Sequence, residues 1–134
     1  MREIKFRGFS KKHQQWLTGN YILNRGAHFI APVDEPADGK TWEDYEVDPD
    51  TVGQYTGLTD KNGREIYEGD IAEWDGGQQI FKVKVVWDES VARDVLINID
   101  DDEFLASLDS FDARLTAVIG NIHDNPELLK RNEQ

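Results

Sequence analysis

Apolar and polar residues alternate along several short segments of this chain, and strands with one buried face show this period of two. In residues 1–9, Ile4 and Phe6 fall on one side of an extended chain, whereas Lys5 and Arg7 fall on the other. The pattern predicts a half-buried first strand at the start of the sequence.

Residues 15–23 predict the return of this strand, which gives an N-terminal β hairpin. Trp16 begins the apolar segment, and Tyr21 continues it after the dipeptide Gly19-Asn20. Glycine and asparagine favour turns over strand interiors. We therefore predict that the returning strand is interrupted at this dipeptide.

Three further segments in the second half of the chain are strand-like. Residues 81–87 show the clearest alternation, because apolar residues at every second position face away from two lysines. Residues 95–99 and the closing segment 114–119 are rich in Val, Ile and Leu, which pack well on a sheet. These segments predict a β meander.

The stretch of residues 52–71 contains glycines that separate short apolar segments. Asn62-Gly63 suits a tight hairpin turn, because both residue types tolerate positive φ. A second bend is predicted at Glu68-Gly69. We interpret the following residues of the stretch as structural: Gly53, Tyr55, Gly57, Asn62, Gly63, Tyr67, Gly69 and Asp70.

Helix-start signals lie near the end of the chain, after the pair Gly120 and Asn121. Asn125 is a favourable residue before a helix, and Pro126 is favourable at its first position. Lys130 and Arg131 would suit the last turn. The pattern predicts a short C-terminal helix, which must pack on other structure because it is marginal alone.

Three segments resemble one known family when they are taken together and in order. They are the opening MREIKFRGF, VGQYTGLTDKNGREIYEGDI at Val52–Ile71, and VIGNIHDNPELL at Val118–Leu129. They resemble the YopX family of small proteins, found mostly in bacteriophages and prophages. The resemblance implies a mainly β fold with an SH3-like barrel in the C-terminal part. It implies no particular chemistry.

The predicted fold is therefore mainly β, with an N-terminal β hairpin or arm, a small SH3-like β-barrel and a short C-terminal helix. Residues 1–50 would form the arm together with an acidic loop, and residues 51–134 would form the barrel with the helix. Residues 24–50 are rich in acids and prolines, which favours a long loop. Trp42 and Tyr45 should dock part of that loop on the core. Residues 100–111 fit either a helix or a bent strand.

The charge of the chain is unevenly distributed around a formal net value of −12. Residues 1–31 hold six Lys or Arg and one Glu, whereas the remaining residues are strongly acidic. This asymmetry predicts electrostatic docking within one chain or between chains. The net charge makes nucleic acid an improbable partner and argues against anionic membranes.

Two charged groups are candidates for interaction. The acidic group in residues 43–50 could imitate the DNA backbone that a host protein binds, although a solvated acidic loop is the simpler interpretation. The basic strand face could contact phosphate, with a solvated or internally paired face as the simpler interpretation. The candidates are Glu43, Asp44, Glu46, Asp48 and Asp50 for the first group and Arg2, Lys5 and Arg7 for the second.

Sequence motifs for catalysis and cofactor binding give no match. The absence of cysteine excludes disulfides, zinc thiolates and cysteine nucleophiles. Glu68 and Asp70 could in principle act as an acid–base pair, but exposure in a turn is the simpler interpretation. We predict no catalytic residue and no cofactor.

Several acids near residue 100 have part of the spacing of a calcium-binding loop. Asn98, Asp100, Asp102 and Asp109 fall at the first, third, fifth and twelfth positions of such a loop. The sixth position, however, is Glu103 where that loop requires glycine. We predict no metal site.

We predict a non-enzymatic phage or prophage accessory protein, acting as an interaction or self-assembling module. Its partner would be a protein or a further copy of the chain. An acidic DNA-mimic inhibitor and a weak nucleic-acid binder remain the alternatives. No apolar segment approaches the roughly 20 residues that span a bilayer, so no membrane partner and a cytoplasmic location in the bacterial host are expected.

Overall fold

The computed structural model describes residues 3–32 and 39–129. Within these ranges the chain is mainly β, as predicted, and forms two antiparallel sheets of five strands each. The strands are β1 Phe6–Ser10, β2 Gln15–Asn24, β3 Ala27–Ala31, β4 Gly53–Thr59, β5 Glu65–Tyr67, β6 Asp70–Asp75, β7 Ile80–Asp88, β8 Arg93–Asn98, β9 Phe104–Ser107 and β10 Thr116–Asn121.

Helical structure in the described residues is limited to single turns. One is the α-helical turn α1, Ser110–Ala113. The others are 3-10 turns at Trp42–Tyr45, Pro49–Thr51 and Pro126–Leu129. None of the described helices is long and apolar enough to cross a membrane.

The chain divides into two compact units, Met1–Tyr55 and Thr56–Gln134. One sheet has the strand order β3-β2-β1-β4-β5, and the other has the order β10-β6-β7-β8-β9. The division between the units falls within β4.

In the first unit, β2 is one continuous strand, and the predicted interruption at Gly19-Asn20 is wrong. Phe6 of β1 pairs with Gly19, and Asn20 then pairs with Ala31 of β3. Gly19 is therefore the residue at which β2 exchanges one neighbouring strand for another. Its φ of 151° is a conformation that glycine adopts without a steric penalty.

The predicted long loop over residues 24–50 is also wrong for much of its length. It contains β3 and the two 3-10 turns, and an isolated bridge joins Phe29 to Glu46. Aromatic packing explains the order, because the Trp42 ring lies 5.8 Å from that of Phe29 and 6.5 Å from that of Tyr45. Tyr45 is buried, as expected. The acids Asp34, Glu35 and Asp38 lie outside the described residues.

The core of the second unit is built on strands that alternation predicted. Strand β7 covers the predicted segment 81–87, and β8 covers the predicted segment 95–99 except for Ile99, which lies in the turn that follows. Val83, Val85 and Leu96 are buried at its centre. The remaining buried members of this cluster are Ile66, Ala72, Ala113 and Val118.

The predicted SH3-like barrel is not confirmed, because the sheets are open. In the described residues, β9 and β10 stand at opposite ends of their sheet instead of pairing to close it. Closure requires pairing around the full circumference. The connection between these two strands is occupied by α1, whose first turn is capped by Asp109 accepting from the Asp112 amide at 2.8 Å.

The structure also decides the predictions for residues 100–111 and for the C-terminal helix. Residues 100–111 contain β9 followed by the start of α1, so neither a helix nor a bent strand describes them alone. The predicted C-terminal helix is a single 3-10 turn, Pro126–Leu129, in the described residues. Lys130 and Arg131, assigned to its last turn, lie outside them.

Candidate functional site

The basic turn between β1 and β2 lies against the acidic segment Thr41–Thr51. The Asp44 carboxylate accepts hydrogen bonds from Lys12 Nζ at 3.0 Å and from His13 Nε2 at 2.9 Å. It also accepts one from the Thr41 backbone amide at 2.9 Å. Asp44 therefore joins two stretches of chain that are about thirty residues apart in sequence.

Asp48 makes a second connection between the same stretches. Its carboxylate lies 3.4 Å from Lys11 Nζ, and its backbone amide donates to the Phe9 carbonyl at 2.9 Å. The Phe9 amide in turn donates to Thr51 Oγ1 at 2.8 Å. Backbone and side-chain bonds together hold the acidic segment beside β1.

Two of the five predicted acidic candidates are thus engaged inside the chain. Asp44 and Asp48 pair with lysines, whereas Glu43, Glu46 and Asp50 are exposed. A cleft of about 410 Å³ lies here, lined by Lys11, Lys12, Glu43, Glu46, Val47, Asp48 and Pro49. Its lining carries charges of both signs, unlike a purely anionic DNA-like surface.

The basic candidates of the first strand are also engaged within the chain. Arg7 is only 9% exposed, and its guanidinium lies 5.0 Å from the centre of the Trp16 ring. Lys5 lies 5.0 Å from the centre of the Tyr55 ring and pairs with Glu3 at 3.0 Å. Arg2 lies outside the described residues. Burial of Arg7 leaves little of its cationic face for a phosphate.

Trp42 forms the wall of a small apolar groove in the same unit. The groove has a volume of about 210 Å³ and is lined by Ile22, Asn24, Phe29 and Trp42. The indole stays 39% exposed although it packs edge-on against Phe29. Sequence reasoning expected Trp42 to dock on the core and missed its exposed face.

Several residues of the predicted structural motif have backbone roles in the second unit. Gly57, Gly63 and Gly69 have φ angles of 87°, 81° and 90°, which suit glycine. Asp70 is 1% exposed, and its Oδ2 accepts from the Tyr67 amide at 2.8 Å. This bond fixes the bend between β5 and β6.

Asp60 is the residue of this stretch whose role sequence reasoning missed. Its Oδ1 accepts from the amides of Asn62 and Arg64, each at 2.9 Å, and its Oδ2 accepts from the Val118 amide at 2.9 Å. The carboxylate joins a hairpin turn to β10 across 58 positions of sequence. The Asp-x-Asn-Gly pattern signals the turn but not the distant partner.

The segment after β10 is organised by amide side chains. Asn121 Oδ1 accepts from the backbone amides of His123 and Asp124 at 3.0 and 2.9 Å. Asn125 Oδ1 accepts from the Asn121 amide at 3.2 Å, so this side chain turns back instead of capping the 3-10 turn Pro126–Leu129. A Cβ at Gly120 would overlap the Asn125 side chain.

The metal-loop residues also have local roles. Asn98 Oδ1 accepts from the Asp100 amide at 3.0 Å, and Asp109 caps α1. Across residues 3–32 and 39–129, no group of three or more acidic or histidine side chains is placed to hold a metal ion.

The comparison with protein families decides what kind of chain this is. The family model described as YopX protein matches residues 5–130, which is nearly the whole length. The chain belongs to the YopX family. The matched range contains the two later segments of the resemblance in full and residues 5–9 of the opening one.

One solved structure supports the fold of the YopX chain over nearly its whole length. The chain is similar to the crystal structure of protein EF1440 from Enterococcus faecalis, with 24% identity and a TM-score of 0.53. The similarity covers 97% of this chain and 100% of that chain. At this identity the likeness shows the fold alone. No curated protein matches the YopX chain.

Asp44 should make the acid stability of this YopX chain depend on the segment Thr41–Thr51. The Thr41 amide, then Lys12 and His13, hold the pKa of the Asp44 carboxyl well below its usual value near 3.8. A carboxyl with a lowered folded-state pKa contributes stability above its unfolded pKa and loses it as pH falls further. We expect Asp44→Asn to lower the free energy of unfolding at neutral pH. Below about pH 4, the difference in this free energy between the variant and wild type should become smaller.

The measurement is denaturant unfolding of both chains from pH 7 to pH 2. Asp50→Asn, an exposed change in the same segment, is the control and should leave the pH profile unchanged. A constant difference between wild type and Asp44→Asn over this range would contradict the assigned role of the carboxylate.

Proposed function

We propose that this YopX-family chain is a small, phage-type, non-enzymatic protein that binds another protein through Trp42 and the acidic residues beside it. The observation that carries the proposal is the exposed indole face above an apolar groove. Tryptophan is enriched among the residues that dominate binding energy at protein interfaces. An indole that is already held in place loses little rotational freedom on binding.

The seat of Trp42 supports a preformed site. The preceding residue, Thr41, donates to Asp44, and Asp44 is held by Lys12 and His13. The ring itself contacts Phe29 and Tyr45. The turn that carries Trp42 is therefore held at Thr41 and at Asp44, and the indole ring is held by its two aromatic neighbours.

The charge near Trp42 indicates the kind of partner. Glu43 directly follows it and Glu46 ends the turn, and both are exposed. Lysines neutralise Asp44 and Asp48, so the remaining negative charge lies close to the indole. A partner with an apolar knob bordered by basic residues would complement this surface, and its approach would be accelerated electrostatically.

A binding role is favoured over catalysis by what Asp70, one of the two predicted acid–base candidates, does. Asp70 is a buried acceptor for the Tyr67 backbone amide, which fixes structure and leaves it poorly placed to exchange protons with a substrate. The family resemblance and the lack of cysteine favour action in the cytoplasm of a bacterial host.

Trp42→Ala should reduce partner binding by about tenfold or more, because a hot-spot side chain contributes about 2 kcal/mol or more. The measurement is capture of protein from phage-infected host lysate by the tagged chain, with nuclease treatment, at low and high salt. Sedimentation of the purified chain tests whether the partner is a second copy.

Trp87→Ala is the matched control, since Trp87 is a tryptophan of similar exposure, 43%, in the other unit. It should leave both binding and self-association unchanged. Equal effects of the two substitutions would contradict a role for Trp42. A nuclease-sensitive eluate would instead favour the nucleic-acid alternative.

A further inference from the structure

The second unit contains an aromatic cleft that the proposed function does not use. It lies between the β6–β7 turn and α1 and has a volume of about 390 Å³, lined by Trp74, Asp75, Gly76, Gly77, Phe111, Asp112 and Leu115. Ligand clefts have volumes on the order of 300–1,000 Å³ and mostly apolar walls with a few polar groups. The cleft fits that description.

The apolar walls of the cleft are rings held by backbone geometry. Trp74 packs on Phe81 with ring centres 5.8 Å apart. A Cβ at Gly76 would lie 2.9 Å from the Phe81 ring and 3.2 Å from the Trp74 ring, so glycine lets the turn approach both rings. Gly77, which also lines the cleft, has open space on its Cβ side.

Phe111 also lines the cleft and is 65% exposed. Leaving a phenylalanine ring in water forgoes the stabilisation of about 1.5–3 kcal/mol that burial provides. Its position is nevertheless defined, because α1 is capped by Asp109 and the Leu115 carbonyl accepts from the Asp75 amide at 2.9 Å. The exposed ring therefore faces a neighbouring turn that is fixed to the same framework.

The polar groups in the lining have one sign of charge. Asp112 Oδ1 accepts from Trp74 Nε1 at 3.3 Å, and Asp75 Oδ1 accepts from the Gly77 amide at 2.9 Å. Asp75 keeps a second oxygen beyond its bond, and the Asp112 carboxyl lies beside that of Asp109. The lining contains no Lys, Arg or His. The nearby Arg114 donates from Nε to the Ser110 carbonyl at 3.2 Å.

We propose that this cleft binds the guanidinium group of an arginine side chain presented by a partner protein. A guanidinium is planar, so it can stack on the faces of aromatic rings while its edges donate to carboxylates. Phe111 and Trp74 provide the faces, and Asp75 and Asp112 provide the acceptors. The inference goes beyond the proposed function, since it concerns a separate site in the other unit.

The pKa of Asp112 makes the binding of a cation measurable. Burial and then the neighbouring Asp109 raise the pKa of the Asp112 carboxyl above its usual value. A bound guanidinium would oppose this shift, because an opposite charge nearby favours the ionised form. Binding should therefore be accompanied by release of a proton in acidic buffer.

The experiment is an NMR titration of the ¹⁵N-labelled full chain with the capped peptide acetyl-Gly-Arg-Gly-amide. We expect saturable shifts of the Trp74 indole N–H and the Gly76 and Gly77 amides. The isosteric peptide with citrulline in place of arginine should bind about tenfold or more weakly, since it lacks the charge. High salt should weaken binding of the arginine peptide.

Three variants test which side chains form the site. Phe111→Ala and Asp75→Asn should each weaken binding about threefold to tenfold, and the amide that replaces the Asp75 carboxylate would keep an oxygen for the Gly77 amide. Phe104→Ala removes another exposed phenylalanine, 57% exposed, and should have no effect. Trp42→Ala should also leave binding of the arginine peptide unchanged. The proposed function and the arginine site can therefore fail independently of each other.

Several results would overturn the proposal. These are an unshifted Trp74 indole signal at saturating peptide, equal binding of the citrulline peptide, and equal effects of Phe111→Ala and Phe104→Ala. Tighter binding of agmatine than of the capped arginine peptide would identify a site for a small organic cation and overturn the assignment to a protein partner.

Discussion

Replacing Asp60 with alanine is expected to lower the free energy of unfolding by about 3–5 kcal/mol, because it leaves three backbone amides without their acceptor. The side chain is 4% exposed, so water cannot readily replace the lost oxygens. Two of the amides belong to the turn of residues 60–64, and the third belongs to Val118 in β10. The substitution therefore disturbs a hairpin and its attachment to another strand together.

The measurement is equilibrium unfolding in urea, followed by tryptophan fluorescence. Asp101→Ala is the matched control, because Asp101 is exposed and accepts one bond, from the Glu103 amide at 2.9 Å. It should cost no more than about 1 kcal/mol. A loss below about 1 kcal/mol for Asp60→Ala would contradict the assigned role.

Asp60→Asn separates the shape of this side chain from its acceptor capacity. Asparagine keeps one oxygen but directs an NH₂ group at an amide donor in either orientation. We expect a loss of about 2–3 kcal/mol, less than that of alanine, because the retained oxygen can still accept from the two turn amides. A variant as stable as wild type would show that the second oxygen contributes nothing.

Replacing Gly19 with alanine should destabilise the first unit by about 3 kcal/mol or more, through backbone strain together with steric overlap. The φ of 151° disfavours an L side chain, and an added Cβ would overlap the Ala31 carbonyl. The obstacle is backbone rather than a flexible side-chain end. β2 or β3 must therefore shift, which breaks the pairing of Asn20 with Ala31.

Gly26→Asn is the matched control in the β2–β3 turn. Gly26 also has a positive φ, 81°, but a Cβ there meets no atom within 4 Å. Asparagine tolerates this left-handed conformation, so the cost should be below about 1 kcal/mol. Urea unfolding of both variants provides the comparison. Equal losses of stability in the two variants would show that the positive φ, and not the close approach of the Ala31 carbonyl, makes glycine necessary at Gly19.

Strand positions in the second unit could be predicted because their evidence is local. Alternation across residues 81–87 identifies β7, since each residue of a strand faces opposite to its neighbour whatever lies around it. The same holds for the turn at Gly63 and the bend at Gly69, where a positive φ requires glycine or a similar residue. These features depend on a few adjacent residues.

Predictions failed where a residue takes its conformation from a distant segment. Gly19-Asn20 has the composition of a turn, yet β1 pairs with one side of it and β3 with the other. Residues 24–50 have the composition of a loop, yet Phe29, Trp42 and Tyr45 order much of it by packing. Tertiary contacts override local preference in both places.

The candidate sites divide in the same way. Charge asymmetry indicated that a basic segment would dock on an acidic one, but it could not select Lys12 and His13 as the partners of Asp44. No sequence signal predicted the aromatic cleft of the second unit. Trp74 and Phe111, which line it, are separated by three strands along the chain and come together only after the sheet forms.

The sequence by itself determined the family, the mainly β class and the principal turns, since each is carried by residue types in a short order along the chain. Only the tertiary structure decided that the sheets stay open, that Asp60 bonds to Val118 and that Gly19 lies against Ala31. The physical reason is that closure, burial and hydrogen-bond partnership depend on distances between segments, which local preferences do not specify.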